Sequence, residues 1–596
     1  MLDFIKTIFA SAIGFFLVIF LFFFLFFILI VSTSSDPEPT VRSNSVLMLK
    51  ASGDIPDRFT TNPFDQFLGT TTGRTFSLQS LENNLKKAAA DERISGVVLE
   101  VDFVTTAWSN LIYARNIIQN FKDESGKFVY ATTNDIGFNE QGYYLATVAD
   151  SIFAPDMTMM MMDGFVIEGM FLTGMLDKIG ISAEIVNRGT YKTAGDTFVR
   201  RSFSDADREQ LELIYSHIIE EFENTVSERV GLTRTELKNL MDQPPVLNID
   251  YYAQQGFIDA IISPDELTNR LKSRLGVNDN RSLPTISSSR YDKVTERSAG
   301  LERSPRESIA VIYANGAIMP QTGDDMSELF GETGISYQTF RRDLRAALDD
   351  SNVEAIVVRI NSPGGAASTS DMIWQLLRDA SDKKPIIASM GNVAASGGYY
   401  IAMGADEIFA EATTITGSIG VIGIAINANE LITDKLGIDL DEIRFNRNAG
   451  WLSPTQPLTS EHRVAYRNFI DTSYQQFVSK VAESRNAEFA EIDRVAQGRV
   501  WSGKDAHEIG LIDHIGGIDL AIARAAELAG LESYSIKTFP RDRTFFEILA
   551  DAQNVSVRSL ITKDIPMLSE LEVLERALST NYRGAWAILP YTFEIK

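Results

Sequence analysis

At 596 residues the chain is too long for one domain, and domains of about 100–200 residues imply two to four. Apolar residues make up 44% of it, ample for buried cores, which excludes wholesale disorder. A formal net charge of -25 excludes nucleic acid and anionic lipid as electrostatic partners. The absence of cysteine excludes a thiol nucleophile, a disulfide framework and a thiolate metal site.

The first element is the uncharged run from Ile8 to Val31, 24 residues long. About 20 helical residues cross a bilayer core, and the run ends in Ser-Thr-Ser-Ser, not at a small-residue cleavage site. It reads as an uncleaved transmembrane anchor. Lys6 precedes it while Asp36 and Glu38 follow, so the positive-inside rule exports the rest of the chain.

Two units follow. The first is placed at residues 45–280, a polar linker with Ser and Pro at 281–305, the second unit at 306–535, and a tail at 536–596. GYYLATVADSIFAP from Gly142 matches GYYIAMGADEIFAE from Gly398, 256 residues on, and DKIGISAEIVNRG from Asp177 matches DKLGIDLDEIRFNR from Asp434. ISGVVLEVD (Ile94 to Asp102) likewise matches EAIVVRIN (Glu354 to Asn361). The shared order marks a tandem duplication, with a period too long for a solenoid. Within each unit, β-branched apolar runs alternate with helical-period segments. This predicts an α/β fold with a parallel sheet covered on both faces and ligands at the strand-to-helix turns.

Four turns are chemically suggestive. In the first unit RGTYKTAGDTF carries Lys192 among small and apolar residues. A buried lysine loses its proton readily and can serve as a general base, although a surface lysine is the ordinary reading of such a loop. In the second unit INSPGGAAS places Gly364 and Gly365 between strand and helix. Their amides could bind an oxyanion or could simply form a tight turn. SMGNVAASGGYYIA puts Ser396 at a helix start beside Gly397, where it is either a nucleophile or an N-cap. TITGSIGVIG offers Ser418 to orient an amine. The Met157–Gly164 stretch reads as a buried strand or, more sharply, as a flexible wall of a substrate groove.

Aligned through the duplication, Ser396 falls opposite Glu140, Ser418 opposite Met162, and Lys192 near Trp451. Neither unit is complete alone, which predicts one site per chain between the units. A Ser-His-Asp triad using His217, His462, His507 or His514 stays open. No HExxH or other zinc spacing appears.

NSPGG, AASGGYY, TGSIGV and GTYKTAG stand here in the order of the signal peptide peptidase A family in its long, duplicated form, and the chain resembles that family over nearly its whole exported part. The resemblance implies two tandem crotonase/Clp-protease-like domains and a Ser-Lys dyad, with Ser396 as nucleophile and Lys192 as base. It implies an oxyanion hole from the amides of Gly364 or Gly365 and of Gly397, with Ser418 supporting Lys192. It further implies a homo-tetramer on the outer face of the bacterial inner membrane that degrades cleaved signal peptides and other unfolded peptides without a cofactor. The tail after about residue 540 has no counterpart in the first unit. Two other readings remain: a crotonase-type acyl-CoA enzyme, and a non-catalytic envelope scaffold.

Overall fold

A computed structural model describes residues 38–59, 75–134, 136–302, 305–320 and 334–541, the backbone of 586–588, and four positions before residue 38. The anchor expected at 8–31 lies almost wholly outside the described residues, among which no helix is long and apolar enough to cross a membrane.

The first half contributes strands β1 (Ser45–Gly53), β2 (Ile94–Val104), β3 (Phe128–Thr132), β4 (Ser151–Ala154), β5 (Ser182–Arg188), β6 (Ala260–Ile261) and β7 (Thr285–Ser287). The second contributes β8 (Ser308–Asn315), β9 (Ala317–Ile318), β10 (Gly334–Ile335), β11 (Val353–Ser362), β12 (Gly364–Ala366), β13 (Ile386–Ala395), β14 (Glu407–Ala410), β15 (Ile415–Gly417), β16 (Val421–Asn427), β17 (Val500–Ser502), β18 (His514–Ile515) and β19 (Ser535–Phe539). A last strand, β20 (Trp586–Ile588), comes from the tail.

The first sheet runs β6-β4-β3-β2-β1-β7, all parallel. The second repeats that order strand for strand as β18-β14-β13-β11-β8-β19, with β15 and β17 added at the far end of β13. Such strands are buried on both faces, and the run VVLEV and its counterpart AIVVRI consist mainly of the β-branched residues that suit this place. Helices cover them: α1 (Leu78–Ala90), α2 (Trp108–Ser125), α3 (Glu140–Ala146) and α4 (Asp205–Val230), then α5 (Tyr337–Asp349), α6 (Ala367–Ser381), α7 (Gly397–Ala402), α8 (Ser460–Ser484) and α9 (Ile518–Leu528). Two α/β repeats are thus present. A third sheet, β10-β9-β12-β20-β16-β5, mixes strands from both halves.

The stretch 281–305, read from its polarity as a linker, is built into the first half. Thr285–Ser287 pairs with β1, and Ile286, Tyr291 and Val294 are buried. With Ala299, four scattered apolar side chains in 25 residues suffice to dock it, too few to make a period.

The halves share a core. Ile309, Val311, Ala355, Val357 and Ile387 of the second sheet pack in one cluster with Trp108, Leu111 and Ala114 of the first half. Across that contact Arg359 Nη2 donates to Asp57 Oδ1 at 2.8 Å, both side chains almost fully buried. Arg359 Nη1 also donates to Met390 O at 2.7 Å. Removing one partner of a buried pair strands the other charge. Asp57→Ala should therefore lower the unfolding free energy by about 3–5 kcal/mol in a denaturant titration, and a loss below about 1 kcal/mol would mean that water reaches Arg359.

Candidate active site between the halves

The apolar strand β13 ends at Ala395, and α7 begins at Gly397. Ser396 forms the corner with φ 57° and ψ −112°, a conformation that costs a non-glycine residue about 1–3 kcal/mol. It is held there because its N–H donates to Gly417 O at 2.8 Å and its carbonyl accepts from Tyr400 N at 2.9 Å. The glycines that follow are required by close approach: a Cβ on Gly397 would lie 2.6 Å from Ser370 Oγ, and one on Gly398 would lie 2.7 Å from Ser362 O.

Lys192 arrives from the other half. β5 pairs with β16 in a seven-residue antiparallel ladder, from Val421 against Arg188 to Asn427 against Ser182, and so carries the following loop onto the second half. There Tyr191 N donates to Gln497 O at 2.9 Å, and Asn187 Nδ2 donates to Lys192 O at 3.0 Å. Lys192 is fully buried. Its Nζ lies 2.7 Å from Ser396 Oγ and 3.0 Å from both the carbonyl and the hydroxyl oxygen of Ser418. These partners are neutral, and burial pushes the amine well below the usual lysine range. Ser418, also at positive φ, donates its hydroxyl to Gly498 O at 3.4 Å and its N–H to Arg499 O at 2.7 Å.

The paired glycines form β12 beside the corner. Gly364 has φ 99° and Gly365 φ 156°. A Cβ on Gly365 would sit 2.0 Å from Ile318 O, so the chain can pass only without a side chain. The Gly364 N–H already donates to Ser362 Oγ at 3.2 Å. The Gly365 amide nitrogen would lie 3.1 Å from a Cβ on Gly397, which sets the Gly365 and Gly397 main chains side by side next to Ser396. Along β12 runs the tail strand β20, antiparallel, with Gly364 opposite Ile588 and Ala366 opposite Trp586; on its other side Trp586 pairs with Ile422. The gap between β12 and β16 thus accepts an extended main chain.

Lys192, Ser396, Ser418, Gly365 and Gly397 come together. The histidines do not join them: His217 faces Asp505 at 3.2 Å, His514 faces Glu407 at 3.0 Å, and His462 faces Asn448 at 3.4 Å. Glu140, opposite Ser396 in the duplication, starts α3 and accepts from the amides of Asp163 and Gly164 at 2.8 and 3.0 Å; burial pushes its carboxyl up to about 7. In the methionine stretch Met160 and Met162 are buried and Met157 is exposed. Sequence reasoning missed Gly498 and Gly420. A Cβ on Gly498 would meet Lys192 Cβ at 2.4 Å, and one on Gly420 would meet Lys192 Cδ at 3.1 Å. Gly420 stands inside a motif read for its serine alone, and Gly498 is a lone glycine with no signal until the lysine's position is known.

A family model described as Peptidase family S49 matches residues 122–278 and 378–532. The chloroplastic serine protease SPPA of Arabidopsis thaliana is 36% identical over 496 residues, 83% of this chain and 71% of that protein. Protease 4 of Salmonella typhi is 30% identical over 601 residues, 98% of this chain and 94% of that protein. Among solved structures, a point mutant of the 1510-N membrane-bound stomatin-specific protease covers 40% of this chain and 99% of its own, with a TM-score of 0.26 at 14% identity.

Proposed function

The chain belongs to peptidase family S49 and is a serine protease, and on that premise we propose that it is a membrane-anchored endopeptidase with a Ser396–Lys192 dyad, acting on cleaved signal peptides and other unfolded apolar peptides. The observation that carries this reading is the 2.7 Å approach of a fully buried amine to the hydroxyl at a strained strand-to-helix corner.

In this reading the neutral Lys192 amine takes the Ser396 proton as Oγ attacks the scissile carbonyl. The amides of Gly365 and Gly397 receive the oxyanion, each such donor contributing about 3–4 kcal/mol to the barrier. Because Gly364 already donates to Ser362, Gly365 is the better supported of the two paired glycines. Lys192 then hands the proton to the leaving amine, and a water, deprotonated in turn by Lys192, hydrolyses the acyl-enzyme. Ser418 accepts from the amine and donates to Gly498 O, which aims the lone pair at Ser396. Two features support an extended, unfolded substrate: the strand-accepting gap between β12 and β16, and the complete burial of the dyad, which a folded protein cannot reach. The N-terminal anchor would hold the enzyme on the outer face of the inner membrane, as a homo-tetramer.

A fluorophosphonate probe should label wild type at Ser396, and Ser396→Ala should abolish both labelling and peptide cleavage. Undiminished cleavage by Ser396→Ala would end the proposal. The acyl-CoA reading fares worse on the same residues, since a thioester needs the oxyanion amides but no lysine at 2.7 Å from a serine.

A further inference from the structure

α4 belongs to the first half, but its opening turns pack against the second. Asp207, Gln210 and Ile214 lie on one face of it, spaced i, i+3 and i+7, and all three are buried. Ile214 shares an apolar cluster with Ala395, Ile415 and Val500, so this face reaches the residue before Ser396. Asp207 is fully buried, a rare place for a carboxylate. Its ordinary duty is to the helix start: Oδ2 accepts from Ser204 Oγ at 2.8 Å and Ser204 N at 3.4 Å, and Ser204 Oγ accepts from Asp207 N at 3.2 Å. That duty does not require burial. Glu236 serves Thr233 in the same way and is exposed. It also leaves Oδ1 for other work.

Oδ1 accepts the hydroxyl of Thr193, the residue after Lys192, and also Gln210 Nε2 at 3.2 Å. Gln210 Oε1 in turn accepts from Val500 N at 3.3 Å. Val500 stands opposite Gly417 where β17 pairs with β15, and Gly417 O is the acceptor that holds Ser396 N. Arg499, next to Val500, gives its carbonyl to Ser418 N. One carboxylate oxygen is therefore a single hydrogen bond from the neighbour of the lysine and two from the strand that supports both serines. The duplication supplies a contrast. Ser204 and Thr459 cap α4 and α8 alike, which sets His462, Ala465 and Phe469 at the places of Asp207, Gln210 and Ile214. None of these three is buried. The copy without the lysine has no such hub.

We propose that Asp207 is a positioning residue for the dyad: through Thr193 and Gln210 its Oδ1 fixes the Lys192 loop against the strand that supports Ser396 and Ser418, and so sets the distance from Nζ to Oγ. The inference rests on the dyad reading above and deepens it. Asp207 reaches the reacting atoms only through other groups and is not itself catalytic. It does not act as a counter-ion either, since burial alone accounts for the lowered amine. Without the Oδ1 bonds the loop is free to lift. A lysine displaced by about an ångström loses its line to Oγ, and water that reaches it returns the amine towards its usual range.

Thr193→Val deletes the hydroxyl and leaves Asp207, its cap and the lysine in place. In the full-length protein in detergent it should lower kcat for a peptide substrate by about ten- to a hundredfold with KM little changed. The rising limb of the pH profile should move to higher pH, because the loosened amine takes on water. Thr193→Ser should recover most of the rate. Asp207→Ala should reproduce both effects, and because it also strips the cap its control is Ser204→Ala, which should lower the melting temperature while kcat and the limb stay at wild-type values. A Thr193→Val enzyme with wild-type kcat and an unmoved limb would overturn the proposal, whatever Asp207→Ala does. A Ser204→Ala enzyme with the same shifted limb would overturn it too, since helix stability would then be the cause. Lys192→Met assayed alongside separates the two readings. If it stays active the dyad itself is wrong, and if it is inactive while Thr193→Val is unaffected, only the role of Asp207 fails.

Discussion

Replacing Lys192 with methionine should lower kcat for peptide hydrolysis by about a hundred- to ten-thousand-fold, the usual range for a positioned general base, while leaving the fold intact. Methionine fills most of the cavity and needs no hydrogen bond, whereas alanine would also open a void beside Ser396. The pH behaviour identifies the cause. Burial holds the amine well below its usual range, so wild-type activity should rise with pH as Lys192 passes through its lowered value, and the limb should vanish with the residue. Stability follows with a definite sign. Between that lowered value and the unfolded pKa of about 10.4, the unfolded chain binds a proton that the native chain refuses. Wild type therefore gains stability as pH rises through this window, and Lys192→Met, lacking the group, should gain most over wild type at its acidic end. Denaturant titrations that give the same difference between the two proteins throughout the window would show that Lys192 is not buried neutral.

Gly498→Val should reduce kcat by about a hundredfold or more, the effect expected when a reacting group is displaced by about an ångström. Gly498 has φ 77°, and a Cβ there would press on the Lys192 main chain and Cβ at 2.4–2.6 Å. The contact is with backbone and cannot be relieved by a rotamer change, so the loop must lift and Nζ must leave Ser396. Gly498 touches neither substrate nor reacting atoms and is a positioning residue. Its signature is a fall in kcat with KM little changed and retained substrate binding by Ser396→Ala/Gly498→Val. Full activity in Gly498→Val would show that the amine reaches Ser396 by another path.

Much of the architecture was legible because the chain states it twice. Alternating β-branched and helical segments announce a parallel α/β unit, and the two six-stranded sheets adopt the same strand order. The placing of the candidate residues was legible for the same reason: a serine opposite Glu140 and a lysine with no partner lysine point to a site between the halves, and Lys192 Nζ and Ser396 Oγ stand 2.7 Å apart across that boundary. What stayed hidden depends on contacts that no local pattern encodes. β5 lies in the first half of the sequence, yet it pairs with β16 of the second. The polar stretch 281–305 docks through four isolated side chains. Gly498 lies 306 residues from Lys192 in sequence, and only tertiary contact reveals its use. The tail without a counterpart ends up as a strand beside Gly364, because an open sheet edge selects extended backbone and not sequence.

The proposed dyad divides between the two copies, which bears on biogenesis. Chains are made from the N-terminus, and domains fold as they emerge. The proposed base is synthesised long before the proposed nucleophile, and the loop of Lys192 has its seat on the second half only once β16 exists to receive β5. Ser396, on the same reading, is an ordinary alcohol until the first copy docks. On the proposed reading a nascent or half-unfolded molecule lacks the paired groups, and hydrolytic power arises only with the finished tertiary structure.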